Sequence, residues 1–108
     1  MIVYVDIDDT ICETPYMGWA REYSLSVPLK NRIHKINKMY DEGHTIVYWT
    51  ARGSTTQKNW FELTLSQLEK WGCKYHELRM GKPAYDLFID DKNINSEDFF
   101  NVVPRNNS

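Results

Sequence analysis

An apolar N-terminal run ends in Asp6-Ile7-Asp8-Asp9-Thr10. Side chains alternate along a strand, so Asp6 and Asp8 point the same way at its end while Ile7 points into a packed layer. Two carboxylates side by side repel, and with Asp90 or Asp91 alongside the remedy is a hard divalent cation held by oxygens, most simply Mg²⁺ with several waters retained. The bland alternative for this motif is an acidic loop capping the next segment. A calcium loop is disfavoured, because Ile11 stands where such a loop needs its sharp-turn glycine.

A hydroxyl at Thr50, an ammonium at Lys82 and a carboxylate-bound cation would together surround a phosphoryl group, whose charge otherwise repels an attacking carboxylate. The reaction this suits is phosphoryl transfer through an aspartyl-phosphate. Arg52, two residues past Thr50, could grip a phosphate or carboxylate with two parallel hydrogen bonds, against the plainer reading of a surface salt bridge.

The elements that must place these groups follow from hydropathy patterning. Met1 to Ile7 is too continuously apolar for a one-face strand and reads as a central strand buried on both sides, as does Thr45 to Trp49. Between them Leu29, Ile33, Ile36, Met39 and Tyr40 recur at helical spacing, from Pro28 to Gly43. A second helix starts after Ser54 or Thr55 and runs to Trp71, with Gly72 as its stop. Tyr75 to Leu78 is a weaker strand and Tyr85 to Ile89 a stronger one. Ser96 caps a brief helix through Phe100, and Val102 and Val103 suit a last strand. Strands alternating with helices imply crossover connections and a mostly parallel α/β sheet, where ligands collect at the carboxyl ends of the strands. The polar chemistry falls there: after strand one, at Thr50-Ala51-Arg52 after strand two, and at Asp90-Asp91 after the Tyr85–Ile89 strand. Lys82 instead precedes its strand and must reach the site from a loop or a short helix.

The chain has 108 residues, enough for one domain spanning 1–108. Six basic against seven acidic side chains in 1–53, and seven against eight in 54–108, leave no basic arm, which argues against nucleic acid as a partner. Cys12 and Cys73 lack the density of disulfide-stapled secreted domains, and the apolar N-terminus stops at Asp6, so the expected setting is cytoplasmic, with no membrane span. Trp19 and Trp60 are expected in the core.

In these motifs the sequence resembles the haloacid dehalogenase superfamily of phosphohydrolases: Asp6-Ile7-Asp8-Asp9-Thr10, Thr50 after an apolar strand, Lys82 in Gly81-Lys82-Pro83, and Asp90-Asp91 after Leu87-Phe88-Ile89. The resemblance implies a Rossmann-like three-layer α/β/α sandwich. By it Asp6 is the nucleophile and Asp8 the general acid and base. Asp8, Thr50, Ala51, Arg52 and Lys82 form the phosphate- and substrate-binding set. Mg²⁺ would be held by Asp6, the backbone carbonyl of Asp8, and Asp90 with Asp91 close behind. Residues 11–27 take the place of the family's squiggle and flap, and neither motif interval is long enough for a cap domain. An open site of this kind accepts a large substrate or borrows a neighbouring subunit as a lid, so a homo-oligomer is among the expectations. The resemblance to small phosphatases of sugar-phosphate and surface-polysaccharide metabolism favours a sugar or polyol phosphate. A polynucleotide 3′-phosphatase and a non-hydrolytic phospho-acceptor or binding domain are the alternatives.

Overall fold

The computed structural model describes residues 1–54 and 59–101. In chain order its elements are β1 (Ile2–Val5), β2 (Cys12–Glu13), β3 (Tyr16–Met17), β4 (Ala20–Arg21), β5 (Val27–Pro28), α1 (Lys30–Asp41), β6 (Thr45–Trp49), α2 (Phe61–Lys70), β7 (Glu77–Arg79) and α3 (Ser96–Phe100). The expected alternation holds through β7: β1, β6 and β7 form a parallel sheet in that order, with Val5 opposite Tyr48 and Tyr48 opposite Leu78.

Alternation along these strands sends Val3, Val5, Ile46, Tyr48 and Leu78 to one face, where they meet Ile33 and Ile36 of α1 and Leu68 of α2. Phe99 and Phe100 of α3 pack against the same cluster. Three helices therefore share one side of the sheet. The opposite face carries Ile2 and Tyr4, 71% and 48% exposed. This makes an α/β fold with a parallel sheet and short antiparallel ribbons, and the two-sided burial expected of β1 is not met: β1 is an edge strand, paired among the described residues with β6 alone.

Both long helices end the same way. Gly43 and Gly72 adopt φ of 98° and 73°, and in each case two successive amides fold back onto the last turn: Gly43 to Tyr40 and His44 to Met39, Gly72 to Glu69 and Cys73 to Leu68. A Cβ at either glycine would meet no atom within 4 Å, so strain in the left-handed region is the whole cost. Gly72→Ala is expected to lower stability by about 1 kcal/mol, with Gly72→Asn milder, as measured by urea unfolding.

Other boundaries differ locally. The second helix begins at Phe61, and residues 55–58, where its start was expected, lie outside the described residues, as do Val102 and Val103. Asn95 rather than Ser96 caps α3, accepting the Glu97 amide at 2.8 Å. Trp19 is no core residue but stands fully exposed at the tip of the β3–β4 hairpin, while Trp60 is half-buried edge-on to Tyr23.

The largest departure is Tyr85–Ile89, which forms no strand and leaves Leu87 and Ile89 exposed at 75% and 87%. The reason lies just upstream. The Lys82 amide donates to the Thr50 carbonyl at 3.0 Å, and Tyr85 sits against the Lys82 ammonium beside Asp6, so the chain is pinned at the carboxyl end of the sheet. A parallel strand beside β1 has to start at the amino end, and a crossover needs on the order of a dozen residues where Pro83 and Ala84 supply two.

Candidate functional site

The turn after β1 is tight. The Thr10 and Ile11 amides both donate to the Ile7 carbonyl, at 3.1 and 2.9 Å, and Asp9 takes a φ of 62°. Asp9 is one of the few residue types that tolerate this conformation, and it is tied to Arg21 at the base of the hairpin. The turn leaves Asp6 and Asp8 lining a cleft of about 270 Å³ together with Ala51, Arg52, Lys82 and Tyr85. A larger cleft of about 580 Å³, between Asp9, Leu25, Arg32 and Glu97, takes Asp9 from the first motif but none of Asp6, Asp8, Thr50, Lys82, Asp90 and Asp91.

Lys82 reaches the site as a loop residue, with Nζ 3.4 Å from Asp6 Oδ2. Its placement is fixed twice: its amide bonds Thr50, and its carbonyl accepts the Ser54 hydroxyl at 2.8 Å. Burial pushes the Asp6 carboxyl above its ordinary 3.8; the Lys82 charge and the Ile7 backbone amide pull it back, and the neighbouring Asp8 charge adds to the rise. Burial works to lower Lys82, but the Asp6 charge and Tyr85 carry it above its usual value, so the ammonium persists. Replacing Lys82 by Met should therefore move the Asp6 titration to still higher pH, followed by carboxyl-carbon NMR. An unmoved midpoint would dissolve the pairing.

Asp8 is held differently. Arg52 grips it with Nε to Oδ2 at 3.0 Å and Nη2 to Oδ1 at 2.9 Å, and the Thr14 hydroxyl donates to Oδ1 at 2.6 Å. Nη1 of Arg52 donates to Thr64 and Gln67, Nη2 also to Ser26, and the guanidinium lies 4.8 Å from the Tyr23 ring centroid. All five of its N–H groups are thus taken up inside the protein, and the side chain is fully buried. The substrate clamp expected of Arg52 is a clamp on Asp8 instead, which makes it a positioning residue. Thr50 is also fully buried: its hydroxyl oxygen accepts the Arg52 amide at 3.1 Å, and Ala51 and Arg52 rather than Thr50 border the cleft.

Asp90 and Asp91 do not join this group. Both are exposed, with the Asp91 amide donating to Asp90 Oδ1 at 2.9 Å, and neither lines the cleft. Among the described residues no three His, Cys, Asp or Glu side chains gather as a metal-holding set. Cys12 is fully buried with its thiol pushed up to about 11 by desolvation, a packed residue rather than a reactive one.

Sequence reasoning missed the residues that hold Arg52. Thr64 and Gln67 interrupt the inward stripe of α2 next to Leu68. Polar residues at core-facing positions signal a buried charge to be satisfied. Arg21, which donates to the Thr14 carbonyl at 2.8 Å and borders the cleft, gave no such signal.

No protein-family model matches the chain, and no curated protein matches it. Among solved structures it is similar to an MCSG target from Vibrio cholerae, with a TM-score of 0.79 and 22% identity over 95% of this chain and 89% of that one. The likeness bears on the fold alone. Among the described residues no helix is long and apolar enough to cross a membrane.

Proposed function

We propose that the protein is a phosphatase that hydrolyses a phosphate monoester, a sugar or polyol phosphate by preference, through an aspartyl-phosphate on Asp6. The observation that carries the reading is the pairing at the cleft: a partly desolvated carboxylate, Asp6, with an ammonium 3.4 Å away and a second carboxylate, Asp8, two residues on in the chain. Lys82 offsets the repulsion between an attacking carboxylate and an anionic phosphoryl group. Asp6 Oδ forms the bond to phosphorus as the ester P–O bond breaks, and the leaving alkoxide takes a proton from Asp8. Water then attacks phosphorus, Asp8 accepts its proton, and the Asp6–phosphorus bond breaks to release phosphate. Asp8 must give up one hydrogen bond from Arg52 or Thr14 to meet the leaving oxygen, so the clamp sets the angle from which it works. Tyr85 and Tyr23 border the same cleft, which sets aromatic rings beside the place a sugar would take.

Mg²⁺ belongs to the proposal through the resemblance, since in the cleft Asp6 and Asp8 are each already paired with a cation, Lys82 and Arg52. The donors the chain gathers fit it only in part, because Asp6 and Asp8 are at the cleft and Asp90 and Asp91 are not. Phosphate release should be assayed on sugar, polyol, nucleotide and oligonucleotide 3′-phosphates, with Mg²⁺ and with chelator. Chelator-sensitive release, fastest on sugar or polyol phosphates, is the expected result. No release from any of them overturns the phosphatase reading, and preference for oligonucleotide ends overturns the substrate class.

A further inference from the structure

We infer that the cleft holds a second anion site, built on Arg21 beside Asp8, and that the preferred ester is one whose alcohol carries a negative charge of its own, a carboxylate or a second phosphate. The inference rests on the phosphatase reading above and narrows its substrate class to acidic sugar or polyol phosphates.

Two arginines border the cleft, and their donors are engaged to different degrees. Arg52 directs every N–H into the protein, including the Nε–Nη2 edge that grips Asp8. Arg21 engages its other edge: Nη1 and Nη2 donate to the two carboxylate oxygens of Asp9, and Nη1 donates to the Thr14 carbonyl at 2.8 Å as well. The guanidinium also lies 4.8 Å from the Tyr16 ring centroid. Among the described residues no group accepts from Nε or from the second hydrogen of Nη2. Those two donors leave one edge in parallel, the fork that takes a carboxylate or phosphate through two hydrogen bonds at once. Arg52 shows the same fork filled, by Asp8. Asp9 is 60% exposed, so water holds much of its charge and leaves the Arg21 cation able to serve a second anion.

Position decides which part of the substrate that anion belongs to. Thr14 links the two groups, because its hydroxyl donates to Asp8 Oδ1 at 2.6 Å while its carbonyl accepts from Arg21. Arg21 therefore stands on the Asp8 side of the cleft, where the leaving oxygen takes its proton, and Lys82 stands at Asp6, where phosphorus is attacked. Lys82 meets the charge of the phosphoryl group, and Arg21 meets a charge on the alcohol. A neutral polyol leaves the Arg21 fork to water. An acidic one replaces that water with charge-assisted hydrogen bonds that also fix the leaving oxygen relative to Asp8.

The test compares phosphate release within pairs that differ in the charge of the alcohol: 3-phosphoglycerate against glycerol 3-phosphate, 6-phosphogluconate against glucitol 6-phosphate, and fructose 1,6-bisphosphate against fructose 6-phosphate. In at least one pair the acidic member is expected to show a kcat/KM about tenfold or more above its partner, the scale of hydrogen bonding between charged groups. The carboxylate and bisphosphate pairs tell which anion the fork takes. In Arg21→Gln the ratio should fall close to one. Arg21→Lys keeps the charge and can still pair with Asp9 but has no fork, so its ratio should lie between. Each ratio is read within one variant, so general damage to the fold cancels. Equal values in every pair, or a preference that survives both substitutions, overturns the Arg21 site and leaves the phosphatase reading standing.

Binding separates the two readings where nothing is hydrolysed. Calorimetric titration of the Asp6→Asn protein with the same pairs should show tighter binding of the acidic member, lost when Arg21→Gln is added. That result with no turnover of any ester fails the phosphatase reading alone. Equal binding in every pair, or binding of none, overturns the Arg21 site.

Discussion

Asp6→Asn is expected to abolish phosphate release while leaving the protein at least as stable at neutral pH. The amide keeps the size of the side chain and can still accept from Lys82, but it has no carboxylate oxygen to attack phosphorus, and losing a covalent nucleophile costs on the order of 10⁴ to 10⁶ in turnover. Stability moves the other way because burial is the largest influence on Asp6 and raises its folded pKa above the ordinary 3.8. The native state then holds the Asp6 proton more tightly than the unfolded chain does. The stability this contributes is present below pH 3.8 and lost as pH rises through the higher folded value, so at pH 7 the charge is a net cost that Asn removes. Lys82 loses a charged partner in the exchange, which trims the gain. Urea midpoints at pH 7 and in the acid range should show an advantage for Asn at neutral pH that shrinks on acidification. Turnover near the native rate would end the nucleophile assignment, and a variant less stable at pH 7 would mean that Lys82 pairing outweighs desolvation.

What the sequence made legible is the part written in short-range pattern. Strand alternation placed Asp6 and Asp8 at one end of β1, and the helical repeat of Leu29, Ile33 and Ile36 located α1 against the face that buries Val5 and Ile46. Lys82 does stand 3.4 Å from Asp6 on a loop, although the strand it was expected to precede does not form. Two matters were not readable, for different reasons. Hydropathy shows that Tyr85–Ile89 wants burial, but it cannot show that the chain is pinned just upstream by the Lys82 amide on Thr50. Arg52 looked outward because its neighbours in sequence flank a strand end. Its partners lie 12 to 44 residues away, on α2, on the loop before β5 and at Asp8, and only the fold gathers them. Charge in the interior is where local patterning fails most, because satisfying five donors takes several distant segments at once.

That same gathering makes Arg52→Ala the most damaging single change to the fold. The guanidinium joins the end of β6, α2, the segment before β5 and the motif after β1, with its side chain fully buried and that of Asp8 only 14% exposed. Breaking a buried pair by removing one partner leaves an uncompensated charge and costs about 3–5 kcal/mol. Thr64 and Gln67 lose their donor as well, and the Tyr23 ring loses the cation stacked on it. For a domain of this size the loss corresponds to a drop in Tm on the order of 15 °C or more. Arg52→Lys keeps the charge but has no planar fork for both Asp8 oxygens, so it should fall between the two and remain folded. In that variant the clamp on Asp8 and the stack on Tyr23 are loosened, while Asp6 and Lys82 keep their pairing. A fall in kcat with KM little changed is then expected, the pattern of a misaimed acid–base group rather than of weakened substrate binding. A rise in KM at native kcat would return Arg52 to direct substrate binding, and an unchanged Tm in Arg52→Ala would show that the five-donor cluster does not hold these segments together.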